Sequence, residues 1–336
     1  MWWPAIRAAT ARPRASDRFA PQALLAPLVS PHRHVSAAAS TVAPLRAAGV
    51  LCALAGAIAF SGKAIIVKLA YLHGTDAVTL LMLRMLFALP MFVLIAWWAS
   101  RGKPALTRHD RLSVLGLGFI GYYLSSFLDF WGLQYITASL ERLILYLNPT
   151  LVLLFSWIAY RKRISPWHAA GMAISYCGVL LVFGHEVSLQ GRQTALGALL
   201  VFASAVTYAI YLVYSGEFVK RLGSLRLVGL ASTIACLFCI AQYALLRPID
   251  SALAVPMEVV WLSVLNAVAC TVVPVLLVMM AIERIGPSAT AQIGMVGPMS
   301  TILMGVWLLG EPFTLWVVAG TVLVISGIFV FSRAGR

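Results

Sequence analysis

Charge is what this sequence has least of. Lys, Arg, Asp and Glu make up 11% of its 336 residues, against roughly a quarter in soluble domains, and only 11 residues are acidic. Such a chain cannot cover a water-facing surface; with 61% hydrophobic residues and a mean hydropathy of +0.92 it belongs in a bilayer. Ten-residue segments of alternating polarity are missing too, which argues against an outer-membrane barrel and for a helical bundle. Reactive constellations are also absent. There is no HExxH, no G-x-S-x-G and no paired metal-ligand set, and His73, His109, His168 and His185 are scattered. The stretch "GAIAFSGKA" at 56–64 fails as a phosphate loop, because its first two glycines are misspaced and Ala64 replaces the Ser or Thr that would hold magnesium. No enzyme activity and no cofactor or metal is expected. The five cysteines, at 52, 177, 236, 239 and 270, fall in apolar stretches, and the lone CxxC at Cys236–Cys239 reads as packing.

What is present is a series of apolar stretches of the ~20 residues needed to cross ~30 Å of hydrocarbon. They recur near 48–70, 77–98, 112–131, 136–159, 165–184, 195–215, 226–246, 257–281, 287–309 and 313–332. The reading is an all-α integral membrane protein with ten transmembrane helices. A net charge of +14 could suggest nucleic acid, but the basic residues alternate by loop. Arg101, Lys103, Arg108 and Arg111, then Arg161, Lys162 and Arg163, then Lys220, Arg221 and Arg226, then Arg284, and last Arg333 and Arg336 fall on one side. The intervening loops hold only Arg192 and Arg247. By the positive-inside rule the richer set is cytoplasmic, with both termini, and no nucleic-acid partner is expected. Residues 1–46, rich in Ala, Arg, Pro and Ser with one acidic residue, fit a disordered extension, a misplaced start or a targeting leader.

The chain repeats itself. An offset of 149 aligns Ser139 with Ser288, Pro149 with Pro298, Trp167 with Trp316, Gly171 with Gly320 and Gly178 with Gly327, and also Gly74 with Gly223. The expected organisation is two five-helix units, 47–184 and 195–332. Because five is odd, the second enters the membrane from the opposite side, giving inverted repeats, an architecture of alternating access.

The tandem units, the Ser139-Leu140-Glu141-Arg142 to Asn148-Pro149 stretch, the "LGEP" turn at 309–312 and the paired Trp/Gly/Gly patterns resemble the EamA-type transporters of the drug/metabolite transporter superfamily. The resemblance covers about residues 48–332. It implies a carrier of small metabolites in the inner (plasma) membrane, commonly an exporter, with a central cavity between the halves. The first copy departs from the second in having Arg161-Lys162-Arg163 where the second has Gly310-Glu311-Pro312. That fits the inversion, since the first turn faces the cytoplasm and the second faces out.

The candidate site residues are the polar groups within the spans. On a helix, Glu141, Arg142, Tyr146, Asn148 and Pro149 share a sector of about 160°, leaving Leu143, Leu147 and Leu151 to lipid or packing. A mid-bilayer charge costs ~2.5–3.5 kcal/mol on the insertion scale, so these groups need partners or water. Lys63, Arg84 and Asp129 lie at a similar depth in spans one to three, and three cations against two anions leave one positive charge over. Interfacial snorkelling is the alternative for Arg84 and Lys63, ion pairing or proton coupling for Asp129 and Glu141. The second half offers Ser288, Thr290, Gln292, Asn266 and Thr271, with Tyr208, Tyr211 and Tyr214 from span six. A cationic pocket for a carboxylate-bearing or otherwise anionic group, with neutral hydrogen bonds and aromatic walls opposite, is the resulting expectation. Pro149 and Pro298 are expected to kink spans four and nine at equivalent points and place exposed backbone at the substrate site. The expected function is secondary-active or facilitative transport of small metabolites, amino acids or similar amphipathic compounds, by alternating access. Substrate, lipid and, in the first case, protons as coupling ion are the partners; the alternative class is a non-transporting sensor or scaffold on a carrier fold.

Overall fold

The structure is a computed structural model and describes residues 36–161, 165–248, 250–285, 290, 293–294 and 296–333. Contacts divide the chain into Met1–Thr41, of which only the helical residues 36–41 are described, and Val42–Arg336, which holds all that follows. Residues 1–35 of the leader thus lie outside the described residues.

Among the described residues every regular element is helical. Eight helices are long and apolar enough to cross a membrane: α1 (Ala47–Leu72), α2 (Ala77–Ser100), α3 (Arg108–Gly132), α4 (Ala138–Tyr160), α5 (Pro166–Ser188), α6 (Arg192–Leu222), α7 (Ser224–Leu246) and α8 (Met257–Ile285). Two shorter apolar helices follow, α9 (Val296–Leu309) and α10 (Leu315–Phe331). The helices start where short polar side chains can accept from first-turn N–H groups that have no partner within the helix. Asp76 accepts from Val78 N before α2, Thr107 and Asp110 form a capping box on α3, and Thr137 accepts from Leu140 N on α4.

Three irregularities shape the interior. Segments of π-helix interrupt α3 at Gly118–Leu124 and α8 at Val268–Val272, nearly the repeat offset apart. The third is in α4, where the sequence predicts a kink at Pro149; the helix instead stops at Leu145 and restarts at Asn148. Proline has no N–H to give the carbonyl four residues back, so Leu145 O would be left bare. Asn148 Nδ2 takes that carbonyl at 3.0 Å, and Thr150 Oγ1 takes Leu147 O at 2.7 Å. These two carbonyls are therefore capped by neighbouring side chains. Pro298 sits in the first turn of α9.

The packing pairs equivalent helices of the two units: α2 lies on α7, α5 on α10, and the α3–α7 contact is mirrored by α8–α2. On α5 and α10 the approach is backbone to backbone. A Cβ added at Gly171 would fall 2.6 Å from Gly327 O, and one at Gly178 would fall 2.7 Å from Gly320 O, so only glycine fits. Residue 171 meets 327 while 178 meets 320; the two helices therefore cross antiparallel. The helix ends at Arg161 and Gly310, again 149 apart, both turn left-handed at φ 51° and 66°.

Candidate functional site

Between these helices lies a cavity of about 530 Å³, within the range of small-molecule sites. Its wall takes α1 from Ala53 to Lys63, α2 around Arg84, α3 from Gly121 to Asp129, α4 from Arg142 to Asn148, and α8 from Cys270 to Ile282. Ser204 and Tyr208 of α6, Ser232 and Ala235 of α7, Thr290 and Gly294 before α9 and Gly297 of α9 complete it. Neither α5 nor α10 contributes a lining residue. Both π-helical segments do, through Gly121 and Tyr122 in one and Cys270 and Thr271 in the other. Beyond Lys63 the interior is filled by Ile65, Val67, Leu80, Leu81 and Phe130, each at most 2% exposed. The wall is therefore bounded on that side by a dry apolar layer.

The charges form a chain. Lys63 Nζ donates to Asp129 Oδ2 and stands 3.2 Å from Glu141 Oε1; Arg142 Nε stands 3.8 Å from Glu141 Oε2 while its Nη2 donates to Phe60 O at 3.1 Å. Glu141 is fully buried, neither of its oxygens receives a hydrogen bond of good geometry, and Lys63 and Arg142 face it at ion-pair distance. Two cations and two carboxylates cancel. The fifth ion, Arg84, is 6% exposed and does not snorkel. Among the described residues no carboxylate lies within ion-pair distance of it, and its Nε and Nη1 lack acceptors. Its guanidinium carbon sits 4.9 Å from the Phe130 ring centroid, a cation–π contact that compensates only part of the desolvation.

The sequence candidates fall into three sets. Lys63, Arg84, Asp129, Arg142, Tyr146 and Asn148 line the cavity. Glu141 lies behind Lys63 and Arg142, and Tyr211 stands behind the wall: its ring rests on Gly121 and its hydroxyl is 3.1 Å from that of Tyr122. Ser288 and Gln292 lie outside the described residues. Leu143, Leu147 and Leu151 are buried, hence packed rather than facing lipid. Tyr146 and Ser61 tie the units together across the cavity, donating to Gly294 O and Gly297 O, each at 2.8 Å. Sequence reasoning missed Ser61, Tyr122, Ser204 and Ser232, whose types carry no signal until α1, α3, α6 and α7 are brought together.

It also missed how one face is closed. At the end of the bundle where α3 passes into α4, Lys68 Nζ donates to Leu133 O and Ile136 O at 3.2 and 3.0 Å, and Thr137 Oγ1 donates to Glu186 Oε1 at 2.5 Å. Glu311, in the turn after α9, accepts from Ala138 N, Ser139 N and Ser139 Oγ at 2.6, 3.2 and 2.7 Å. A carboxylate from the second unit thus caps the helix of the first that carries Glu141 and Arg142. Among the described residues no group of three or more His, Cys, Asp or Glu side chains could hold a metal, and Cys236 and Cys239 are buried free thiols.

A polytopic helical bundle of two repeated units around an ion-bearing cavity is the class these features define. The family model described as the EamA-like transporter family matches twice, at residues 47–184 and 195–333. Relatives include the uncharacterized transporter YcbK of Bacillus subtilis, 33% identical over 82% of this chain and 89% of that protein. The uncharacterized transporter YetK of the same organism is 26% identical over 84% of this chain and 86% of its own length. A crystal structure sharing 18% identity superposes with a TM-score of 0.61 over 86% of this chain and 97% of the other, a likeness of fold. The chain belongs to the EamA-like transporter family and is a multi-pass membrane protein.

Proposed function

We propose that this protein carries small amphipathic metabolites, amino acids or similar compounds, across the plasma (inner) membrane in the export direction by alternating access, without catalysing a reaction. In this reading α1 to α10 are ten transmembrane helices in two inverted repeats, 47–184 and 195–332, with both termini cytoplasmic. The observation that carries it is the cavity itself: a largely apolar space that nonetheless holds ions and hydroxyls, walled by both units and bounded at one end by a packed apolar layer. Such a space serves no packing purpose, and buried intramembrane charges mark substrate or ion pathways. The antiparallel crossing of the equivalent helices α5 and α10 supports the inversion, because equivalent elements of two inverted units run in opposite directions.

Transport is either facilitative or coupled, with protons as coupling ion and Asp129 or Glu141 as the carboxyl that would take one. The test is counterflow of labelled amino acids and organic acids in proteoliposomes, with and without a pH gradient. Saturable flux is expected. A Glu141→Gln variant that keeps flux but loses its gradient dependence makes Glu141 the coupling group, while flux indifferent to pH gives facilitation. Folded protein with no flux across a broad panel would overturn the carrier reading in favour of a sensor on a carrier fold.

A further inference from the structure

Taking the carrier reading as its basis but narrowing its substrate class away from amino acids, we infer that Arg84 is the receptor for the substrate's head group, and that the substrate it selects is an organic monoanion, a carboxylate on an apolar body, rather than a zwitterion or an amine. Charge placement carries the inference. Of the five ions at this depth, Lys63, Asp129, Glu141 and Arg142 lie in a continuous chain and, with both carboxylates ionised, neutralise one another. Among the described residues Arg84 alone of the five has no carboxylate at ion-pair distance, although it is buried and lines the cavity. Its Nε and Nη1 have no acceptor. Nearby on the wall, Ser232 contributes a buried hydroxyl that is also unsatisfied. A buried guanidinium with unused donors is shaped to take two carboxylate oxygens, the pairing that arginine makes best.

A single negative charge brings the site to neutrality. A zwitterion would leave the surplus in place, and an amine would add to it, as its ammonium would face a carboxylate already held by Lys63. Asp129 keeps one unpartnered oxygen, Oδ1, and is the acceptor through which a zwitterion would compete. The rest of the wall suits an apolar body: Met85, Phe92, Val275, Val278 and Ile282 line the same cavity, together with Tyr122.

The test uses three compounds with one body and different heads, 3-phenylpropanoate, phenylalanine and 2-phenylethylamine, and reads binding separately from flux. Cys270 lies on the cavity wall, buried like Cys236 and Cys239, so with the other four cysteines replaced by serine or alanine its reaction with a small maleimide, first established in the unliganded detergent-purified protein, reports occupancy. The acid is expected to protect Cys270 at concentrations at least tenfold below those needed by the other two. Arg84→Gln is expected to raise the protecting concentration of the acid about ten- to a hundredfold, the loss of a charge-assisted pair, with Arg84→Lys retaining part of it. Protection by the amine or the amino acid as good as by the acid, or no protection by the acid, overturns the inference, as does an Arg84→Gln protein that binds the acid unchanged. Should Arg84→Gln fail to fold, the wild-type ranking and Arg84→Lys still decide. In proteoliposomes the two readings separate: Arg84-dependent protection without counterflow sinks the carrier reading and keeps the anion site, whereas counterflow indifferent to Arg84→Gln keeps the carrier and sinks the site.

Discussion

The two units share a backbone plan and differ in chemistry. At the offset of 149, Lys63 faces Leu212 in the comparison, Arg84 faces Thr233, Asp129 faces Val278, Glu141 faces Thr290, Arg142 faces Ala291 and Asn148 faces Gly297. Every ion of the first unit's wall is thus neutral in the second, while both units keep the π-helical segment, the left-handed helix end and the glycine contact. Shape is conserved between the copies where they touch each other, and charge is confined to one of them. On the proposed carrier reading, symmetry would serve movement and asymmetry recognition: a head group gripped by one unit would stay gripped while the other unit moves.

The sharpest way to break that contrast is to give the first unit the second unit's chemistry. Lys63→Met leaves Asp129 and Glu141 as buried carboxylates with too few partners, and a loss of about 3–5 kcal/mol is expected, read as a fall in melting temperature of the purified protein. Adding Asp129→Asn to it should restore much of the loss; a single variant as stable as wild type would show that the chain of charges is not what it replaces. Next in size is the shared contact. Gly178→Ala drives a methyl against Gly320 O and should cost about 1–3 kcal/mol, whereas Gly184→Ala on the same helix meets nothing within 4 Å and should be neutral or stabilising by up to about 1 kcal/mol, the helix preference of Ala over Gly. Equal effects at the two glycines would mean that helix propensity, not packing, is being measured.

How much of this was legible beforehand follows the same division. Eight of the spans, the repeat and the identities of the buried ions are properties of the chain's order and could be read from it. Which ion is left over is not, because Arg84 and Arg142 look alike until α1 is laid against α3 and α4 and Lys63 reaches both carboxylates. The π-helical segments have no periodic signature; one extra residue per turn alters little in a uniformly apolar stretch. Pro149 announced an interruption, but whether a helix bends or breaks depends on whether a neighbour can take the bare carbonyl, and here Asn148 does. The "LGEP" turn was visible as a motif and its carboxylate's partners were not, since Ala138 and Ser139 lie some 170 residues away in sequence.

Smaller effects sharpen the comparison at the turns. Glu311 stands in the second unit where the first has Lys162, and it alone of the two is expected to hold a closed face. Glu311→Gln weakens three hydrogen bonds to the start of α4, so about 1–2 kcal/mol of stability should be lost, together with faster labelling of a cysteine placed at Thr137; unchanged labelling would show the face closed by the apolar layer alone. The smallest expected effect is at the start of α2, where Asp76 caps the helix while its counterpart α7 begins at Gly223 without a side-chain cap. Partial burial would raise the Asp76 pKa, but hydrogen bonds from Thr79 and Arg247 outweigh it and hold the carboxyl below its usual value. A depressed folded pKa means that the stabilisation is complete above the ordinary aspartate value of about 4 and is lost as pH falls below it. Asp76→Ala should cost about 1 kcal/mol at neutral pH and flatten the acid limb of a stability–pH curve; the Arg247 pair, half exposed, adds little.

The crossing of α5 on α10 has one more consequence. Position 171 meets 178 plus 149, and 178 meets 171 plus 149, which is the contact a half-length chain would make with an identical copy of itself. The covalent link between the units is then not needed to bring them together. Split between Gln190 and Arg192 and produced as two polypeptides, the halves carry on their own surfaces the recognition that would let them assemble.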